Sequence, residues 1–418
     1  MSDLRKKLAS GIAAGALLLN LATPAFAGIT IEVSGNGSDS ENEVELEYEH
    51  EVEVTQSNYA DVQNEIKAEA STGENEAEDN TGGNVEVESG DATTKVTVTN
   101  SLNSNVAKVD ACCVGDVEAK ISGNGTDSEN EIELELENEV KVDQYNDALV
   151  INNVDAEAET GENEAEDNTG GSVKVTSGNA ETTVAVSNNA NHNSAWVTGS
   201  GDGGSLTALI TGNGSDSENE IELELENETK IDQDNYADIL NEIDAEAETG
   251  ENEAEDNTGG EVEVESGDAT VDVTVDNWVN FNWADVDACG CLEDILAKVS
   301  GNGTDSENEI EAEIEFETKA DQYNDFDCKG EIKDACADVK AEAETGENEA
   351  EDNTVAPDED PTISSGDASS TVEVTNSANS NVYGELPEDG PEWPWEGLSF
   401  NLNFSFDLQD LLAALLGD

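Results

Sequence analysis

The chain has 418 residues, with 101 Asp plus Glu against 15 Lys plus Arg, a formal net charge of -86. Such a charge excludes nucleic-acid binding, which needs basic residues against phosphate, and docking on anionic membrane surfaces. Aromatic residues, at 4%, are too few for several ordinary globular cores, so the expected partners are divalent cations, a cell-surface polymer or further copies of the chain.

Residues 1–27 begin with Arg5, Lys6 and Lys7, continue through an apolar run that includes Leu18, Leu19 and Leu21, and end Ala25-Phe26-Ala27. Basic start, short apolar run and small-x-small end describe a secretory signal peptide, with cleavage expected between Ala27 and Gly28. No other segment is long and apolar enough to span a bilayer. The expectation is a secreted, extracellular or cell-surface protein of bacterial type.

The rest of the chain is an internal repeat. SGNGSDSENE at Ser34 returns with small changes at Ser122, Thr211 and Ser300, spacings of 88, 89 and 89 residues. TGENEAEDNT recurs at Thr72, Thr160, Thr249 and Thr345, and SGDA or SGNA at Ser89, Ser177, Ser266 and Ser365. This gives repeat units over 28–121, 122–210, 211–299 and 300–382, a Pro/Trp linker over 383–397, and a terminal segment over 398–418.

Inside a unit the hydropathy period is two: Ile132, Leu134, Leu136, Val140 and Val142 alternate mostly with Glu or Lys. That places apolar side chains on one strand face and carboxylates on the other. Alanines 156, 158 and 165 alternate in the same way, so the Glu-rich stretches around them also read as strands. Asn-Gly, Thr-Gly, Gly-Gly and Ser-Gly-Asp supply the turns. The fold class is all-β. A repetitive β-solenoid, each unit making about four coils of roughly 22 residues, is preferred over tandem β-sandwich domains, because the inward positions are Val, Ile, Leu and Ala rather than the bulky residues a sandwich core takes. Asn42, Asn64, Asn75, Asn80, Asn100, Asn103 and Asn105 are placed to form stacked amide ladders at the turns.

Gln56-Ser-Asn58-Tyr-Ala60-Asp-Val62-Gln-Asn64 and Gln233-Asp-Asn235-Tyr-Ala237-Asp-Ile239-Leu-Asn241 resemble the curlin-like repeats of bacterial extracellular fibres. The wider pattern over residues 30–382 looks like exported Asn- and Gly-rich bacterial β-repeat proteins. The resemblance implies a secreted β-solenoid that polymerises or coats the cell. The chain departs from it in charge, since its Glu would stack a strand spacing apart and repel.

Bound divalent cations would relieve that repulsion. Asp39, Glu41 and Glu43, and their counterparts Asp127, Glu129, Glu131, Asp216, Glu218, Glu220, Asp305, Glu307 and Glu309, offer hard oxygens at alternate positions, as calcium prefers. Glu74, Glu76, Glu78 and Asp79 form a second candidate set. The alternative is a solvated acidic face with diffuse counterions. Asn36, Asn124, Asn213 and Asn302 match the glycosylation sequon but read better as Asn-Gly turns.

Six cysteines in an exported chain point to disulfides: Cys112 and Cys113, Cys289 and Cys291, Cys328 and Cys336, with cross-pairing open. No pair has zinc-ribbon spacing. No nucleophile elbow or phosphate loop is present, and an enzyme is not expected. Leu398, Phe400, Leu402, Phe404, Phe406 and Leu408 alternate as an amphipathic strand before the LLAALL stretch of residues 411–416, which reads as a short helix. That segment would either cap the last coil or dock on a neighbour. Together these features predict a secreted acidic structural repeat protein of the cell surface or matrix, forming fibres; the alternative is a calcium-binding adhesion module whose folding is metal-gated.

Overall fold

The computed structural model describes residues 16–22, 29–110, 115–198, 204–286, 292–328, 336–355 and 360–384, and among these there is no helix. Strand β1 (Ala16–Ala22) lies within the segment that the sequence reads as a signal peptide. The first rung is β2 (Ile29–Ser34), β3 (Glu41–Gly73), β4 (Glu76–Glu78), β5 (Val85–Glu88) and β6 (Ala92–Asp110). Rung 2 repeats these as β7 (Val117–Ser122), β8 (Glu129–Gly161), β9 (Glu164–Glu166), β10 (Val173–Thr176) and β11 (Ala180–Thr198). Rung 3 is β12 (Gly204–Thr211), β13 (Glu218–Gly250), β14 (Glu253–Glu255), β15 (Val262–Glu265) and β16 (Ala269–Val286). Rung 4 is β17 (Leu292–Ser300), β18 (Glu307–Cys328), β19 (Ala337–Gly346), β20 (Glu349–Glu351), β21 (Thr362–Ser364) and β22 (Ala368–Tyr383).

Every ladder is parallel and, apart from that of β1 with β6, joins one rung to the next: β3 pairs β8 from Glu41↔Glu129 to Gly73↔Gly161, and β8 pairs β13 over the same span. The chain is therefore a β-solenoid, but each unit makes a single coil rather than four of about 22 residues. The Gly and Asn clusters that suggested extra coil corners do mark turns, yet the 33-residue β3, β8 and β13 run through the interior Asn positions without turning. At about 3.3 Å per residue such a strand spans roughly 110 Å, whereas four rungs stack only about 19 Å high.

Two walls face each other. The long wall is β3 and its counterparts; the return wall is β6 in sequence after the tip strands β4 and β5, extended by the next rung's β7. In rung 2, Val117, Ala119 and Ile121 pack on Ile132, Leu134 and Leu136. Ala195 and Val197 then pack on Val140 and Val142, Ala190 on Ala148 and Val150, and Ala180, Val184 and Val186 on Val154, Ala156 and Ala158. Ala165 meets Val173 and Val175 in the tip. Short apolar side chains suffice because the walls lie close together, which explains the scarcity of inward aromatics.

Amide ladders separate these apolar compartments. Asn146 Nδ2 donates across the core to Asn193 Oδ1 at 2.7 Å, and Asn152 Nδ2 to Asn188 Oδ1 at 3.1 Å. Along the stack, Asn105 donates to Asn193, Asn193 to Asn282, and Asn282 to Asn381, each at 3.0 Å. The Asn58 and Asn100 columns run with the same polarity, whereas the glutamine column runs in reverse, from Gln322 through Gln233 and Gln144 to Gln56. Most of these amides lie inside the walls, not at turns. Burying so many polar groups is tolerable because the rung above or below supplies a partner.

At one point the period-two alternation slips. Asn103, Asn191, Asn280 and Asn379 are left-handed, with φ from 52° to 62°, and Leu102 and Asn103 both point inward. This left-handed residue resets the face of the return wall, as a bulge would, and Asn tolerates the conformation better than most residues. At the tip corner, Gly73, Gly161 and Gly250 have φ from 132° to 140°, and a Cβ on Gly161 would overlap the Gly250 carbonyl oxygen.

Rung 4 carries an insertion. Ile239 pairs Cys328 and Asn241 pairs Ala337, so the added residues fall between β18 and β19 in sequence, and Cys328 and Cys336 form a disulfide. Cys112, Cys113, Cys289 and Cys291, and the terminal segment 398–418, lie outside the described residues, as do Ala27 and Gly28. Strand β1 pairs in parallel with Ser104–Asp110 of β6.

Candidate functional site

Outward positions at the start of the long wall are all glutamate. Residues 41, 43, 45, 47, 49 and 51 pair in register with their counterparts in the other three rungs, giving six adjacent columns of four glutamates. Parallel in-register stacking of homologous units forces this, since each Glu meets its own copy. The next column reads Glu53, Lys141, Lys230, Lys319. Lys141 Nζ lies 2.9 Å from Asp143 and 3.8 Å from Glu53, so the lysines border the acidic field. Within the field, burial and then the charges of Glu220 and Glu43 push the Glu131 carboxyl up; Glu133 and Glu137 are raised by burial and then by Glu45 with Glu222 and by Glu49 with Glu226.

The structure brings the predicted cation ligands together by kind. Glu41, Glu129, Glu218 and Glu307 form one column, and Glu43, Glu131, Glu220 and Glu309 the next. Asp39, Asp127, Asp216 and Asp305 sit in the preceding turn, all left-handed with φ between 51° and 61°. The tightest carboxylate grouping lies instead at the tip, in the second candidate set. Oxygens of Glu78, Glu164 and Glu166 are within 4.8 Å of one another. A hydrogen bond with Glu76, and then its charge, push Glu78 up to about 7. On the long wall near the same end, burial and then Glu251 and Glu159 push Glu248 up to about 7.

The sequon asparagines serve the turn. Asn124 and Asn213 are buried; their Nδ2 atoms donate to Asn130 and Asn219, and their Oδ1 atoms accept from the backbone N–H of Asn36 and Asn124. They join parallel layers, so the Asn-Gly turn is a solenoid corner and not a hairpin.

A second outward feature escaped the sequence reading. Tyr59, Tyr145, Tyr236 and Tyr323 form a continuous row along the stack, with ring centroids 5.4, 5.5 and 5.6 Å apart and interplanar angles of 37–45°. Tyr59 follows the ladder residue Asn58, Tyr145 precedes Asn146, Tyr236 follows Asn235, and Tyr323 precedes Asn324. The opposite flank is Ser57, Asp147, Asp234 and Asp325, so tyrosine and mostly aspartate alternate from rung to rung. The alternation is visible in sequence only once the 88- or 89-residue register is known.

The two ends of the stack differ. On rung 4, Ile310 is 48% exposed and Val374 41%, whereas their rung 3 partners Ile221 and Val275 are fully buried. Phe316, 61% exposed, ends a column that is otherwise the polar His50, Asn138 and Asn227. On rung 1 the matching inward side chains Val44 and Val98 are buried. No protein-family model, curated protein or solved structure matches the chain.

Proposed function

We propose that the chain is a secreted acidic structural protein of the cell surface or extracellular matrix, whose copies stack end to end into fibres that continue the solenoid. The observation that carries this is the open rung 4 end. There, among the described residues, β17, β18 and β22 have a partner strand on one side only, and inward apolar side chains such as Ile310 and Val374 are exposed. Long unprotected edge strands are ordinarily blunted or covered. Rung 1 supplies a fitting surface, because its strands have the register that rungs 2 and 3 already use. The asparagine ladders add polarity: amide nitrogens of one rung address carbonyl oxygens of the next, so a rung 4 face and a rung 1 face are complementary whereas two like faces are not. A head-to-tail contact of this kind does not close and propagates as a filament. The curlin-like Gln-x-Asn-x-Ala pattern supports the same reading, since its Gln, Asn and Ala are the inward ladder and core residues. Strand β1 covers part of the rung 1 edge at Ser104–Asp110, so removal of the leader would free it.

The test is electron microscopy and fibre diffraction of residues 28–418 beside the full chain. Filaments with an axial spacing of about 4.8 Å and a rise per copy of about 19 Å are expected, weaker with the leader retained. Lys substitutions at Ile310 and Val374 should block assembly without unfolding rungs 1–3. A strictly monomeric protein at all salt and calcium concentrations would refute the proposal.

A second reading, a calcium-binding module with metal-gated folding, is favoured by the Glu78, Glu164 and Glu166 oxygens. Together with neighbouring column carboxylates they begin the oxygen shell that calcium takes. Circular dichroism after chelation separates the two: β-signal that appears only on adding calcium supports the gated module, and an unchanged β-spectrum supports the self-sufficient scaffold.

A further inference from the structure

We infer that the row Tyr59–Tyr145–Tyr236–Tyr323 is a site of oxidative tyrosine–tyrosine coupling, and that where two copies stack, Tyr323 of one couples to Tyr59 of the next. The interchain half rests on the stacking proposed above; the intrachain half does not.

Phenol coupling needs two tyrosyl rings in contact, both reachable by an oxidant. Four of the six tyrosines of the chain stand in this row, with neighbouring centroids 5.4–5.6 Å apart. They are on the outer face, and the terminal members are well exposed, Tyr59 at 72% and Tyr323 at 51%. The opposite flank holds Asp147, Asp234 and Asp325, whose carboxylates do not couple. Simple aromatic packing would explain one pair. It does not require the strict change of side at every rung that keeps each ring diagonal to the next.

The alternation also has a phase. Over four rungs it completes two periods, ending with a tyrosine that precedes its asparagine. A second copy's Tyr59, which follows its asparagine, would meet Tyr323 as Tyr236 meets Tyr145. The copy-to-copy junction would thus repeat an intrachain pair with centroids 5.5 Å apart.

The oxidant is hydrogen peroxide acting through a haem peroxidase. Each phenol gives up one electron and its O–H proton, and the two phenoxyl radicals join through the ring carbons ortho to oxygen. Each coupled carbon then loses its hydrogen as a proton, which returns to the phenolate oxygen as aromaticity is restored. In sum two tyrosines lose two hydrogen atoms, one carbon–carbon bond forms, and one peroxide is reduced to two waters.

The experiment treats the purified chain with peroxidase and peroxide, first dilute and then assembled, and reads dityrosine fluorescence, peptide mass spectra and denaturing gels. In dilute protein the expected links are Tyr59–Tyr145, Tyr145–Tyr236 and Tyr236–Tyr323. The double variant Tyr145→Phe, Tyr236→Phe, which removes a member of every link, should fall to background, while Tyr383→Phe should not change the yield. Assembled protein should give denaturant-resistant multimers that Tyr59→Phe and Tyr323→Phe each abolish. Equal coupling through Tyr383, or no dityrosine from a folded chain, overturns the site. Intrachain links without multimers overturn the junction and count against stacking, whereas filaments without dityrosine leave stacking intact and overturn the site.

Discussion

Replacing Asn193 with Ala tests whether the amide ladders or the apolar compartments hold the walls together. Asn193 is fully buried. Its Oδ1 accepts from Asn146 at 2.7 Å and Asn105 at 3.0 Å; its Nδ2 donates to Asn235 and Asn282, both at 3.0 Å. Truncation therefore takes a partner from four buried amides at once. Each keeps other contacts, so the low end of the range for an unsatisfied buried polar group applies, about 1 kcal/mol each and about 4 kcal/mol in all. Val184→Ala in the same strand, also fully buried, removes two methyl groups and costs about 2–3 kcal/mol with its cavity. The two variants should be compared by urea unfolding followed by circular dichroism, with amide exchange to localise the loss to rungs 1 to 3, because repeat arrays need not unfold in one step. A loss for Asn193→Ala smaller than for Val184→Ala, or below about 1 kcal/mol, would show that the ladders set register without stabilising the stack.

Acidification should stabilise the fold. Glu248 is held near 7 against an ordinary 4.5, so the folded chain binds more protons than the unfolded chain between these values. Stability is then greatest on the acid side and falls as pH rises from about 4.5 through about 7. After allowance for solvent screening Glu248 contributes about 1–2 kcal/mol to that fall; a thermal midpoint higher at pH 8 than at pH 5 would contradict the sign. Glu133→Gln relieves its column neighbours Glu45 and Glu222 and should stabilise by about 0.2–1 kcal/mol, a gain that shrinks as salt is raised. Gly161→Ala meets the Gly250 carbonyl in a left-handed corner and should lower the melting point more than Ala156→Gly, a substitution in mid-strand.

The strands and their faces were legible because period two survives almost everywhere. Ala156, Ala158 and Ala165 face inward as the alternation requires. The coil length was not legible. A turn such as Asn-Gly and an inward Asn such as Asn146 look alike in sequence, and only pairing partners distinguish a corner from a ladder rung. The same ambiguity hid the tyrosine row, whose members fall on alternate sides of that asparagine. Carboxylate columns followed from the repeat, but their closest approach at Glu78, Glu164 and Glu166 depends on how the tip bends, which composition does not encode.

In this molecule each backbone ladder joins residues at least 88 positions apart. Closing a loop of that length costs about 4 kcal/mol of chain entropy before any ladder bond compensates, and topologies with such distant contacts fold slowly. One unit alone has two walls and no neighbour to pair with, so the first stable nucleus requires two. A chain exported as proposed would stay extended while its first 88 residues emerge, and later units would add to the growing template in order of appearance. The rate of translocation, and not an internal signal, would then set the order in which the layers form.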